Sequence, residues 1–275
     1  MFYRYANTQS EKQFRSDMLK VRSTFNQTLK GDNRFSFYYT NGYNHEKLPV
    51  ITQQNPDNIT WMHWGIVPNS IKGITAKDEH LKMGYSLYER SQLANSSWLT
   101  KHSIESQRCL VPATGFFLWK HMKKWKHSAN EERSEKYHYY AQILNIYNGN
   151  DPMPYCFPAV YNKWEDPITK QNHEGFIIFH CETLGDTMDA ITATSHKYWG
   201  RMPCIIGYED YAQWLSSDFE FVEASDFLCE FDNDHIRAYS VTQNLNKYNV
   251  DHNRPETLDY HPYSVLETAN QFNCD

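Results

Sequence analysis

The feature that most constrains this chain is a succession of eight short apolar or aromatic runs, each the length of a strand and each followed by Gly, Pro or polar connectors. They are RFSFYYT (34–40), LPVIT (48–52), ITWMHWGIVP (59–68), RCLVP (108–112), GFFLW (115–119), HYYAQIL (138–144), FPAVYNKW (157–164) and GFIIFHC (175–181). Runs of four to eight residues rich in β-branched and aromatic side chains read as strands, and closely spaced ones read as hairpins and meanders. Only one long stretch carries a helical period. Between residues 8 and 30, Phe14, Met18, Val21, Phe25 and Leu29 recur every three or four positions and predict an amphipathic helix laid over a sheet. Shorter helices are expected over 96–106, 184–193 and 208–217. The class is therefore α+β: a mainly antiparallel β barrel or sandwich-like core with flanking helices.

The net charge of −6 sets a field that repels nucleic acid and anionic membranes, so a polyanion site would have to be a local basic cleft. Six cysteines, Cys109, Cys156, Cys181, Cys204, Cys229 and Cys274, lie far apart without CxxC or Cys/His spacing, which indicates neither a zinc site nor a disulfide framework. No cofactor is implied. The N-terminus lacks a charged segment followed by an apolar one, and no apolar run approaches the length of a membrane span. A cytoplasmic protein with no membrane partner is expected.

RCLVPATGFFLWK (108–120) reads as strand, turn and strand. Alternation then places Phe117 and Trp119 on one face and Phe116 and Leu118 on the other. The cluster that follows, KHMKKWKH (120–127), sets four Lys and two His around Trp125. It reads either as a phosphate-contacting loop with a stacking ring or as a solvated extension of the hairpin, since acidic SANEERSEK comes next.

Four landmarks then occur in a fixed order: WGIVP (64–68), RCLVPATGFFLW (108–119), FPAVYNKWEDP (157–167), and HKYWGRMPCII (196–206) followed by YEDYAQWL (208–215). Together they resemble the SRAP family, the SOS-response-associated peptidases that process abasic sites in single-stranded DNA. The resemblance runs from the N-terminus to about residue 250. It implies one SRAP-like domain over 1–250, with 251–275 as a C-terminal extension, and a compact β fold with a groove for single-stranded DNA. Family members begin Met-Cys, and the freed amine and thiol condense with the sugar aldehyde of an abasic site. A Glu in GFYEW and a His before RMP move protons, while an Asn-Ala-Arg-x-Glu segment holds the DNA.

Residue by residue, the chain departs from that pattern at the chemistry. Phe2 stands where the family has Cys, or the Cys is deleted, and Leu118 stands at the Glu position. In YERSQL (88–93), Arg90 matches the family Arg, but Tyr88 replaces Asn and Gln92 replaces Glu. His196, five residues before Arg201, matches the catalytic His of relatives with the longer spacing; it reads equally as a surface His at a helix end. Arg4 matches a basic residue that faces phosphate, and Arg201 belongs to the RMP landmark.

Three readings stay open on these residues. In the first, a catalytically degenerate SRAP protein binds single-stranded or abasic-site DNA, with Arg4, Arg90, Arg201 and the basic cluster on the backbone and Trp64, Phe117 and Trp125 stacking on bases. In the second, the chain is an enzyme of altered chemistry that joins His196 to another nucleophile, Cys204 being the nearest in sequence, or a family member whose given N-terminus omits the Cys. In the third, a module bound to a protein partner has abandoned nucleic acid, which predicts a groove lined by apolar and acidic residues.

Overall fold

The computed structural model describes residues 4–26, 33–84, 88–90, 101–126, 131–144, 151–182, 201–218, 228, 235–247 and 249–263. Two sheets carry the fold. The first has five antiparallel strands in the order β12-β8-β7-β1-β2, namely Ile236–Val241, Glu131–Ile143, Gly115–Lys126, Arg4–Asn7 and Phe37–Asn41. The second contains β3 (Lys47–Thr52), β4 (Asn55–Trp64), β6 (Arg108–Ala113), β9 (Tyr155–Glu165) and β10 (Asn172–Glu182). Successive antiparallel pairs run β4-β3-β6-β9-β10, and a parallel pair from β10 back to β4 closes them into a five-stranded barrel. Two short strands, β5 (Tyr88–Arg90) and β11 (Arg201–Pro203), hang on β10.

The closing pair depends on two glycines. Gly65 ends β4 at φ +135° and donates its N–H to Phe176 O at 2.9 Å. Gly175 in β10 lies so close to that turn that a Cβ on it would sit 2.0 Å from Gly65 O. Only a residue without a side chain lets the two backbones approach this far. Barrel and sheet share one large core, to which β1 contributes Tyr5, β7 contributes Phe116 and Leu118, and β4 contributes Trp64. The hairpin alternation read from the sequence holds: Phe117 leaves this core and joins Ala6, Tyr140, Val241 and Leu245 on the other face of the five-stranded sheet.

Several expected boundaries move. The first helix, α1, spans Glu11–Val21, starting at Ser10, whose hydroxyl accepts from Gln13 N at 3.2 Å. It stops short of the expected residue 30 because Arg22 turns to extended backbone, where its Nε meets Asp57 at 2.6 Å. Phe25 is still buried, but from a turn. Residues 34–40 divide into a 3-10 turn over Asn33–Phe35 and strand β2, and the expected 208–217 helix shrinks to a 3-10 turn over Tyr208–Asp210 and one helical turn over Tyr211–Trp214. Of 96–106, Lys101–Ser106 (α3) is helical; α2, over Ile74–Lys82, was not anticipated. The expected 184–193 helix lies outside the described residues.

The basic cluster is hairpin, not loop. Strand β7 continues to Lys126, paired residue for residue with β8 out to Lys126↔Glu131. Among the described residues no helix is long and apolar enough to cross a membrane, and no three His, Cys, Asp or Glu are placed to hold a metal ion.

Candidate functional site

Arg4 opens β1, the strand held between β2 and β7. Its neighbours Tyr5 and Ala6 pair with Phe116 and Gly115, so β1 runs back toward the N-terminus in the direction in which β7 runs on to Leu118. Arg4 as a whole is only 6% exposed. Its Nη1 lies 3.4 Å from His138 Nε2 on β8, and it sits 6.0 Å above the ring of Tyr39 on β2. Tyr39 is in turn packed between Phe117, at 5.5 Å, and His252, at 5.1 Å.

Arg4, Tyr39 and His252 line a cavity of about 760 Å³ bounded on one side by the sheet and on the other by Val250–Asn253. Three cations, Arg4, Lys136 and Lys247, face two carboxylates, Glu46 and Asp251. Counting the lining side chains, the cavity therefore carries one net positive charge on a molecule whose net charge is −6. The lining is polar, and several of its groups are donors. Asn41 Oδ1 already accepts from Tyr43 N at 3.1 Å and Asn253 Oδ1 from Tyr38 N at 2.8 Å, which leaves the two amide NH₂ groups to donate to a guest.

Leu118 stands apart from this cavity. It is 3% exposed and belongs to the core shared by sheet and barrel, directly across from Tyr139. Strand alternation puts it on the face of Tyr5 and Phe116, opposite the face of Arg4 and His138. A carboxyl group in its place would be desolvated, and the structure does not bring Leu118 and Arg4 to one surface.

Two expected stacking rings are core residues instead. Trp64 is 0% exposed, edge-on to Tyr5 at 5.3 Å and stacked on Phe176 at 6.3 Å; Phe117 is 0% exposed against Tyr39 and Tyr140. Their aromatic surface drives barrel and sheet packing, so neither offers a ring face to a base. Cys204, the alternative nucleophile, is fully buried, with Sγ 3.6 Å from Leu228 O. A thiol needs both access and thiolate character to attack. The other described cysteines, Cys109, Cys156 and Cys181, are buried too, and burial pushes the Cys156 thiol up to about 12.

Arg90 and Arg201 lie on β5 and β11, which both pair with β10; Arg90 is opposite His180, and Arg201 opposite Glu182. Trp125 sits near the tip of the long hairpin, across from Glu132. Phe2 and His196 lie outside the described residues. Sequence reasoning missed Tyr39, Asn41, His138 and the 250–253 wall. His138 was visible only as one more alternating position in HYYAQIL, and nothing local ties residue 252 to residue 39.

Comparison with known proteins fits this architecture. The family model for SRAP, SOS response associated peptidase, matches residues 1–248. Abasic site processing protein YoqW of Bacillus subtilis (strain 168) is 23% identical over 218 residues, covering 78% of this chain and 82% of that one. Protein YoaM of the same organism, also named an abasic site processing protein, is 22% identical over 216 residues, 77% of this chain and 80% of its own. Among solved structures, a Bacteroides thetaiotaomicron protein superposes with a TM-score of 0.74 at 22% identity, covering 94% of this chain and all of that one. A Bordetella bronchiseptica protein does so with a TM-score of 0.62 at 14% identity, over 87% and 99%. Since the family model spans nearly the whole chain, this protein belongs to the SRAP family.

Proposed function

We propose that this chain is a cytoplasmic SRAP protein that binds single-stranded DNA, including strands carrying an abasic site, without forming the family's covalent crosslink. Arg4, Arg90 and Arg201 hold the phosphate backbone, and Trp125 on the basic hairpin stacks on a base. His196 keeps its family position but lacks the nucleophile and the carboxyl it would serve. The curated relatives carry the name abasic site processing protein, which supports abasic-site DNA as the substrate class.

The observation that carries the reading is the burial of Leu118. General acid–base catalysis needs a titratable group within hydrogen-bond reach of the sugar, and a leucine inside the core supplies none. Position 2, where the family thiol and amine would start the reaction, is Phe. Affinity for the backbone asks less: cations lining a cavity, which buried Arg4 and exposed Lys136 and Lys247 provide.

The test incubates the protein with fluorescent single-stranded DNA, with and without one abasic site, and resolves it on native and denaturing gels at low salt. A shift on the native gel that disappears on denaturation is the expected result. A band that survives denaturation overturns the non-covalent reading. No shift on either gel overturns DNA binding and leaves a protein partner, for which Glu46 and Asp251 would be the contacts to examine first.

A further inference from the structure

The segment from Asp251 to Tyr263 crosses the whole width of the five-stranded sheet. At one edge, Tyr38 N on β2 donates to Asn253 Oδ1 at 2.8 Å. At the opposite edge, His261 N donates to Ser240 O on β12 at 2.8 Å, and Ser240 Oγ donates back to His261 O at 2.7 Å. The Tyr263 hydroxyl donates to Val241 O while its ring meets Tyr137 edge-on at 4.9 Å. Between the two edges, Thr257 is buried and Leu258 packs on the Phe117 and Tyr140 cluster. The segment thus acts as a strap over an otherwise open face and satisfies backbone groups on both edge strands.

The first residues of this strap are also the outer wall of the Arg4 cavity. They are held in shape: Asn253 N donates to Asp251 Oδ1 at 2.9 Å, Thr257 Oγ1 donates to His252 O at 2.6 Å, and His252 Nε2 lies 3.0 Å from Lys247 O. The cavity stays open with the strap in place, so the strap is a wall and not a plug. Its volume of about 760 Å³ falls within the range of roughly 300–1,000 Å³ typical of small-molecule sites. One surplus positive charge suits the single charge of a phosphodiester better than a polyphosphate, and the free amide donors of Asn41 and Asn253 suit the carbonyl oxygens of a pyrimidine.

We propose that strap and sheet form a clamp for one nucleotide unit of a single strand, with its phosphate on Arg4 and its base against His252 and Asn253 of the strap. The proposal rests on the DNA-binding reading and deepens it. The strap, lying past the end of the family-model match at residue 248, becomes a specificity-determining part of the site.

The probe is fluorescein-labelled dT12, titrated by anisotropy against the intact chain and the variants Asn253→Ala and His252→Ala. Cutting the chain after Tyr248 would uncover Phe117 and Tyr140, so point variants are used, with thermal melts to verify folding. In parallel, hydrogen exchange of the Tyr38 amide is followed, since its acceptor is the strap itself. The clamp predicts that each variant binds dT12 about tenfold more weakly and that saturating dT12 slows Tyr38 exchange in the intact chain. If the intact chain binds but the variants match it and Tyr38 exchange is unchanged, the clamp is wrong and DNA binding stands. Tighter binding by the variants would make the strap a cover, which also overturns the clamp. Failure of the intact chain to bind dT12 overturns both readings.

Discussion

Replacing Leu118 by Glu restores the family's carboxyl and measures whether that position still opens to a site. Leu118 is 3% exposed in the main core, flanked by Phe116 and facing Tyr139. Removing a buried leucine forfeits roughly 2–3 kcal/mol of transfer free energy. A carboxyl so enclosed has its pKa raised by about 3 units above its unfolded value near 4.3, and each unit corresponds to about 1.4 kcal/mol. With the folded pKa raised, the folded state holds the proton more tightly, so the added penalty is absent below about pH 4.3 and grows as pH rises toward the folded value. The variant should therefore lose roughly 6 kcal/mol at pH 7.5 and roughly 3 kcal/mol at pH 5, a large share of the 5–15 kcal/mol typical of a domain. Urea titrations followed by tryptophan fluorescence at both pH values give the difference from the parent chain, and Leu118→Gln serves as the charge-free control. A Leu118→Glu protein within about 1 kcal/mol of the parent at both pH values would falsify the buried assignment and reopen acid–base chemistry.

Three further outcomes are expected. His173 is buried, its Nε2 donating to Gly65 O at 2.8 Å and its ring stacked 5.0 Å from His63; burial, with His63, Lys77 and His45 nearby, lowers its pKa to about 4. The unfolded chain takes up this proton near pH 6.5, so stability is full above that and falls by roughly 3 kcal/mol as pH drops toward 4, a slope that His173→Gln should flatten in urea titrations from pH 7.5 to 4.5. Gly175→Ala drives a Cβ to within 2.0 Å of Gly65 O, a backbone atom that cannot swing away, and should lower the melting temperature by about 5 °C or more; an unchanged melt would mean the β4–β10 closure is looser than described. If Arg4, Arg90 and Arg201 each neutralise one phosphate, log Kobs for dT12 against log salt should slope near −2; a slope near zero would remove backbone contacts as the source of affinity.

How much of this could be read from the sequence differs by element. All eight expected strands are present, because their aromatic and β-branched alternation is enforced by burial of one or both faces. The Phe116/Phe117/Leu118 alternation is legible for the same reason, and it sets which of these side chains enter the main core. The parallel β4–β10 pair was not, since it joins residues more than a hundred positions apart through two glycines that look like ordinary turn residues. Trp64 misled because a tryptophan's composition is the same in a core as on a stacking platform; only Tyr5 and Phe176 around it decide. The overlong first helix failed at Arg22, where a tertiary ion pair with Asp57 redirects a chain whose periodicity still pointed to helix.

The separation of Arg4 from Leu118 bears on the proposed DNA-binding reading. Adjacent strand residues project to opposite faces, so Arg4, proposed to hold a phosphate, and Leu118, matched to the family's Glu, share one end of the sheet but not one surface. Filling the inner position with leucine adds to a core that already holds Tyr5 and Phe116, while the cations Arg4, Lys136 and Lys247 line the cavity on the outer face. In the proposed clamp, cations that hold a phosphate give little specificity, because a phosphate carries no sequence information. Discrimination must come from the opposite wall, and that wall is made by His252 and Asn253. On the proposed reading, catalysis and recognition would be carried by different segments: the first by residue 2 and strand β7, the second by a strap that lies more than 120 residues beyond β7 in sequence and packs over the sheet.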